Sequence, residues 1–126
     1  MSGETKSAVK THKDLDIWKR GIIFVEHIYE ATAKFPKEEI YCLTSQMRRA
    51  AVSYPSNIAE GAARFSKKEF IKFLYVSLGS ISEMETQLII AEKLGYLTAN
   101  KLLEEIEVLR RMTLNFIKYL KSKNVE

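Results

Sequence analysis

Apolar residues recur at helical spacing in four stretches of this chain. In the first, Leu15, Trp18, Ile22, Val25, Tyr29 and Thr32 follow one another at spacings of 3, 4, 3, 4 and 3, the seam of a helix packed along another helix. Ile23, Phe24 and Ile28 widen that stripe. Asp14 or Asp16 can cap its start. Phe35-Pro36 ends the run, because the residue before a proline avoids helical geometry.

The third stretch has the clearest beginning. Ser66-Lys67-Lys68-Glu69 reads as a capping box, in which the serine oxygen and the glutamate each satisfy an orphan backbone amide. Phe70, Ile71, Phe73, Leu74, Leu78, Ile81, Met84, Leu88 and Ala91 continue the period to Leu94, and Gly95 stands where helices close with a left-handed residue. Thr98 is then expected to cap a fourth helix carried by Leu102, Ile106, Leu109, Thr113, Phe116 and Leu120. The link between these two helices is short, so they must be antiparallel neighbours.

The second stretch contains a proline. Over residues 44–65, Met47, Ala50, Ala51, Tyr54, Ile58, Ala62 and Phe65 share one side at 100° per residue, and Arg49, Ser53, Ser56, Asn57, Glu60 and Arg64 share the other. A turn at residues 54–56 has no reason to preserve that phase. The pattern predicts one helix over about 44–64, started by Thr44. Pro55 removes one hydrogen bond, displaces the carbonyl of Ala51 and kinks the axis; Ser53, Ser56 or a water is expected to satisfy that carbonyl. The fold class expected is all-α: an antiparallel up-down-up-down four-helix bundle over residues 14–123 with a proline-kinked second helix, after a flexible polar tail over residues 1–13.

Composition adds limits. At 126 residues with five glycines and two prolines, the chain suits one helical domain rather than a many-stranded sheet. Its start has no apolar run, so neither a signal peptide nor a membrane span is expected, and the cytoplasm is the default location. The lone Cys42 is expected to be buried or inert. Net charge is +4 but banded: residues 43–79 hold six basic side chains against two acidic, residues 80–109 two against six, and residues 110–126 five against one. Such banding attracts polyanions or pairs copies of the chain.

Little suggests catalysis. A di-metal bundle needs Glu-x-x-His pairs, but Val9 and Phe24 precede His12 and His27 by three. No glycine-rich phosphate loop or cysteine pair occurs, and Glu83 and Glu85 lie about 200° apart on a helix. No metal, cofactor or enzymatic activity is expected, and His27 reads as a structural histidine.

The stretches "LDIWKRGIIFVEHIYEATAKFP", "YCLTSQMRRAAVSYPSNIAEGAAR" and "SKKEFIKFLYVSLGSISEMETQLIIAEKLGYL", with the terminal helix, resemble in order the 23S rRNA-intervening-sequence protein family of four-helix-bundle proteins. The resemblance covers about residues 14–121. It implies a ring-shaped homo-oligomer, a homopentamer in many members, and no enzymatic activity. It extends to the accessory proteins of diversity-generating retroelements, in which a basic ring engages reverse transcriptase and nucleic acid. Tyr54 and Cys42 depart from the usual aliphatic residue and glycine.

Two functions follow. One is RNA or DNA binding by basic patches repeated around the ring: Arg48, Arg64, Lys67, Lys68 and Lys72 on the second and third helices, and Arg110, Arg111 and Lys118 with Lys121 and Lys123 on the fourth. The alternative is a protein–protein adaptor or scaffold in which the polar stripe Arg49, Ser53, Asn57 and Glu60 forms the subunit interface. A helix-turn-helix reader at residues 56–74 is disfavoured, since its glycine falls at the wrong offset and its second helix is too long and too apolar to lie free for DNA.

Overall fold

Four helices carry residues 11–123, the part of the chain that the computed structural model describes: α1 (Asp16–Thr32), α2 (Leu43–Ala62), α3 (Lys67–Lys93) and α4 (Asn100–Ser122), with 3-10 turns at His12–Asp14 and Lys37–Glu39. No strand occurs among these residues. Each helix packs on two others, α1 and α3 both lying against α2 and α4. Paired contacts run in opposite order along α1–α2, α2–α3 and α3–α4. Gly21 meets Tyr54 while Arg48 reaches back to Thr32; Ser80 and Ser77 of α3 meet Ser53 and Tyr54 of α2, and Phe73 lies against Gly61.

The buried stripe of α1 differs from the seam read in the sequence. Ile17, Gly21, Phe24, Ile28 and Thr32 face the core, whereas Ile22, Ile23 and Tyr29 are exposed and Trp18 and Val25 are half-buried. Glycine carries no hydrophobic signal, yet Gly21 is where the ring of Tyr54 lies. A Cβ built there would stand 2.8 Å from two ring carbons, so this α1–α2 contact uses a position that hydropathy ignores.

α2 runs unbroken through Pro55, which is buried with Met47, Ala50, Ala51, Tyr54 and Ile58. The side-chain donors near the proline go to the carbonyls just before it: Asn57 Nδ2 donates to Ser53 O at 2.9 Å, and Ser77 Oγ to Tyr54 O at 2.9 Å. The Ser53 hydroxyl serves a different purpose from the one expected, accepting from Ser80 Oγ at 2.8 Å and from Asn57 Nδ2 at 3.0 Å. α2 also stops at Ala62. Phe65, placed by phase on its apolar side, instead lies beyond the helix and is 95% exposed.

Two helix starts are set by glutamates from preceding segments. Glu39 accepts the Leu43 N–H at 3.2 Å, and Glu92 accepts the Ala99 N–H at 3.3 Å. Thr44 is therefore a buried residue inside α2, and Ala99 rather than Thr98 precedes α4. Thr11 caps the turn before α1, its hydroxyl accepting the Lys13 N–H at 3.1 Å while Asp14 Oδ2 accepts the Thr11 N–H at 3.3 Å, and Leu15 precedes α1 without a side-chain cap. Thr11 to Lys13 thus belong to an ordered turn rather than to a tail; residues 1–10 of the expected tail lie outside the described residues. Ser66 accepts from Glu69 N–H at 3.2 Å, and Gly95 has φ +82°, both as the sequence predicts. Cys42, expected to be buried or inert, is exposed at the start of α2.

Candidate nucleic-acid interface

The chain reversal between α2 and α3 places basic side chains at the beginning of α3, and the opposite run of α4 brings its last turns to the same end of the molecule. Arg64 stands in the turn, Lys67, Lys68 and Lys72 in the first two turns of α3, and Lys118, Lys121 and Lys123 at the close of α4. Contacts join the two groups: Lys67 Nζ donates to the Lys123 carbonyl, and Lys121 Nζ to the Tyr75 hydroxyl at 3.0 Å. Lysines at the end of α4 also offset the negative end of its dipole. Glu60, bound to Arg64 at 2.9 Å, and Glu69 are the acidic side chains of α2 and α3 at this end. Asp14, in the turn before α1, and Asp16, its first residue, lie at this end too, beside Asn115 and Phe116 of α4, and the basic side chains outnumber these four carboxylates. The result is a basic pole.

Aromatic rings lie among these cations. The Arg64 guanidinium carbon sits 4.9 Å from the centre of the Phe73 ring, Lys121 Nζ 5.4 Å from Tyr75 and Lys123 Nζ 4.8 Å from Tyr119. Cations over aromatic faces retain their charge while their positions become better defined. The sequence reading missed Tyr75 and Tyr119 because spacing alone does not show which lysines will stand over which rings.

The pole includes Arg64, Lys67, Lys68, Lys72 and Lys118, but not every basic residue assigned to nucleic acid. Arg48 lies 14 positions before Ala62, where α2 ends, about 21 Å away at 1.5 Å per residue. Its Nε donates to Thr32 Oγ1 at 2.8 Å and its Nη2 to Tyr29 O at 3.3 Å, with the guanidinium 4.5 Å from the Tyr29 ring centre. Arg48 therefore ties α1 to α2. Arg110 is held by Glu85 at 2.8 Å and by Glu107, joining α3 to α4. Arg111 is exposed and shares a face with Lys118 two turns further on.

The stripe assigned to a subunit interface is partly engaged within the chain. Ser53 and Asn57 are half-buried and bonded to each other, and Glu60 holds Arg64, while Arg49 is exposed. Arg49 lines an open groove of about 630 Å³ with Tyr29, Ile40, Tyr41, Arg48 and Val52. Tyr41 there is 91% exposed. His27 is half-buried on α1, its Nδ1 2.8 Å from a Glu105 carboxylate oxygen of α4. Among the described residues no three His, Cys, Asp or Glu side chains gather in a way that could hold a metal ion, and no helix is long and apolar enough to cross a membrane.

The sequence profile of the 23S rRNA-intervening sequence proteins matches residues 13–115. The fold is similar to the crystal structure of a protein of unknown function from the S23 ribosomal protein family of Bacteroides thetaiotaomicron VPI-5482. The TM-score is 0.73 at 20% identity, with 81% of this chain and 95% of that chain covered. At that identity the likeness shows a shared fold. No curated protein sequence matches the chain.

Proposed function

The chain belongs to the 23S rRNA-intervening sequence protein family, and from that premise we propose that it is a non-enzymatic module that binds the phosphate backbone of RNA or DNA through its basic pole, repeated around a homo-oligomeric ring. The observation that carries this reading is the meeting of the α3 start with the α4 end, marked by the Lys67–Lys123 contact. Lysines far apart in sequence converge there. Each phosphate contact releases condensed counterions, and copies around a ring raise avidity without new contacts. The five-fold count is implied by the resemblance alone.

The test is binding of the purified chain to labelled RNA and DNA duplexes over a salt series. Binding is expected to weaken steeply with salt, with log K linear in log salt. Reversing Lys67, Lys68 and Lys72 to glutamate together is expected to weaken it roughly 10–100-fold and to flatten the slope. A wild-type chain that binds neither RNA nor DNA, duplex or single-stranded, at low salt would rule this reading out.

A second reading, a protein adaptor built on subunit contacts, is favoured by the groove at Arg49, where Ile40, Tyr41 and Val52 expose apolar surface. Arg49→Glu is expected to lower the mass seen by light scattering to that of a smaller assembly. An unchanged mass would remove Arg49 from the subunit contact.

A further inference from the structure

We propose that Phe65 is a stacking platform for an unpaired base, so that the pole prefers single-stranded to duplex nucleic acid; this rests on the phosphate-binding reading above. Two observations that owe nothing to charge point to it. The first is conformation. Phe65 has φ +55°, the only non-glycine residue described with positive φ, in a region where a Cβ is disfavoured. The corresponding turn after α3 is closed by Gly95 at φ +82°, so the same chain uses glycine where only a turn is needed. The second is exposure: at 95% the ring adds almost nothing to the core. A strained backbone that holds a large apolar ring in solvent gives the fold nothing in return, which is the signature of a residue kept for contact.

The surroundings select the ligand. Phe65 borders a hollow of about 340 Å³ with Phe70, Tyr119, Lys67 and Lys123, within the size range of small-ligand clefts of roughly 300–1,000 Å³. Tyr119 is itself half exposed and stacks on Phe116 with ring planes 19° apart. Arg64 and Lys67 flank the ring in sequence, and Lys68 follows on the first turn of α3. Aromatic faces set among cations suit a strand whose bases can splay out while its phosphates follow the charge. A duplex keeps its bases stacked inside and offers Phe65 only its backbone. A ring face and cations engage base and phosphate, which RNA and DNA share, so both kinds of single strand are ligands in this reading.

The experiment uses the full chain with labelled oligoadenylate of about 12 nucleotides, a length within known single-strand site sizes, as RNA and as DNA, beside a duplex of equal length. Phe65→Gly removes the ring and relieves the backbone, so the variant is expected to melt no lower than wild type. It is nevertheless expected to bind both single strands roughly tenfold more weakly, with unchanged salt slope and unchanged duplex affinity. Phe65→Tyr is expected to retain wild-type binding. Equal single-strand affinity in Phe65→Gly and wild type, in a chain that binds with the expected salt dependence, overturns the platform and leaves the basic pole standing. Equal losses on single strands and duplex also overturn it. A wild-type chain that binds no strand form at low salt overturns both proposals together.

Discussion

Replacing Tyr54 with alanine is expected to lower the stability of the fold by about 3–5 kcal/mol, the range for removing a buried aromatic ring. Tyr54 is 1% exposed and is bonded to or packed against all the other helices. Its ring fills the space over Gly21 of α1, and its hydroxyl lies 2.7 Å from Thr113 Oγ1 of α4. Its backbone carbonyl accepts the Ser77 hydroxyl of α3. Thr113 spends its one hydrogen on the Leu109 carbonyl at 2.7 Å, so Tyr54 is the donor in the Tyr54–Thr113 bond. A cavity at this site would close poorly, because Gly21 has no side chain to move into it and the cost of a cavity rises with its residual volume. Urea unfolding should show a lower midpoint with an unchanged m-value. A loss below about 2 kcal/mol, the bottom of the range for large-to-alanine changes in cores, would mean that α1 settles onto α2 and that Tyr54 does not hold the helices apart.

The same residue marks what was legible in the sequence. Four helices and the passage of α2 through Pro55 follow from periodicity, because a helix keeps its phase only if no turn intervenes. Gly95 and Ser66 follow from local chemistry, since each acts on the backbone beside it. What failed involved partners at a distance. Gly21 is invisible to hydropathy although the Tyr54 ring rests on it, so the α1 stripe was drawn about Trp18 and Ile22. The starts of α2 and α4 were assigned to threonines at hand, whereas Glu39 and Glu92 reach forward from preceding elements.

The candidate site divides along the same line. A charge window along the sequence joins Arg48 to Arg64 because it ignores that α2, with 20 residues, is about 30 Å long. It also treats Arg110 as available, although Glu85, 25 positions earlier, meets it across the α3–α4 contact. The convergence of Lys67 with Lys123 needs the antiparallel return of α4, which periodicity implies but cannot register to the residue. Phe65 was misplaced for a simpler reason: its spacing continues the apolar face of α2, and only the stop at Ala62 turns it outward.

Tyr54 also sets the expected behaviour in alkali. Burial pushes its phenol up to about 12 from the usual 10, and the Thr113 hydroxyl draws it back only in part, since to meet a phenolate it must turn its hydrogen away from Leu109. Below pH 10 both folded and unfolded chains keep the proton, and this group gives stability no pH dependence. Between pH 10 and about 12 the unfolded chain loses the proton while the folded chain retains it, so stability falls as pH rises. The slope approaches 1.4 kcal/mol per pH unit, and the full loss is about 3 kcal/mol. Tyr54→Phe removes this titration together with a hydroxyl bond worth about 1 kcal/mol, and it leaves Thr113 bonded to Leu109. The variant is therefore expected to be less stable than wild type at pH 7 and more stable above about pH 11. Contributions common to both proteins cancel from the difference. Urea midpoints measured for the pair from pH 7 to roughly 11.5 should cross, and curves that stay parallel would show that the Tyr54 phenol ionises as easily in the fold as in the unfolded chain.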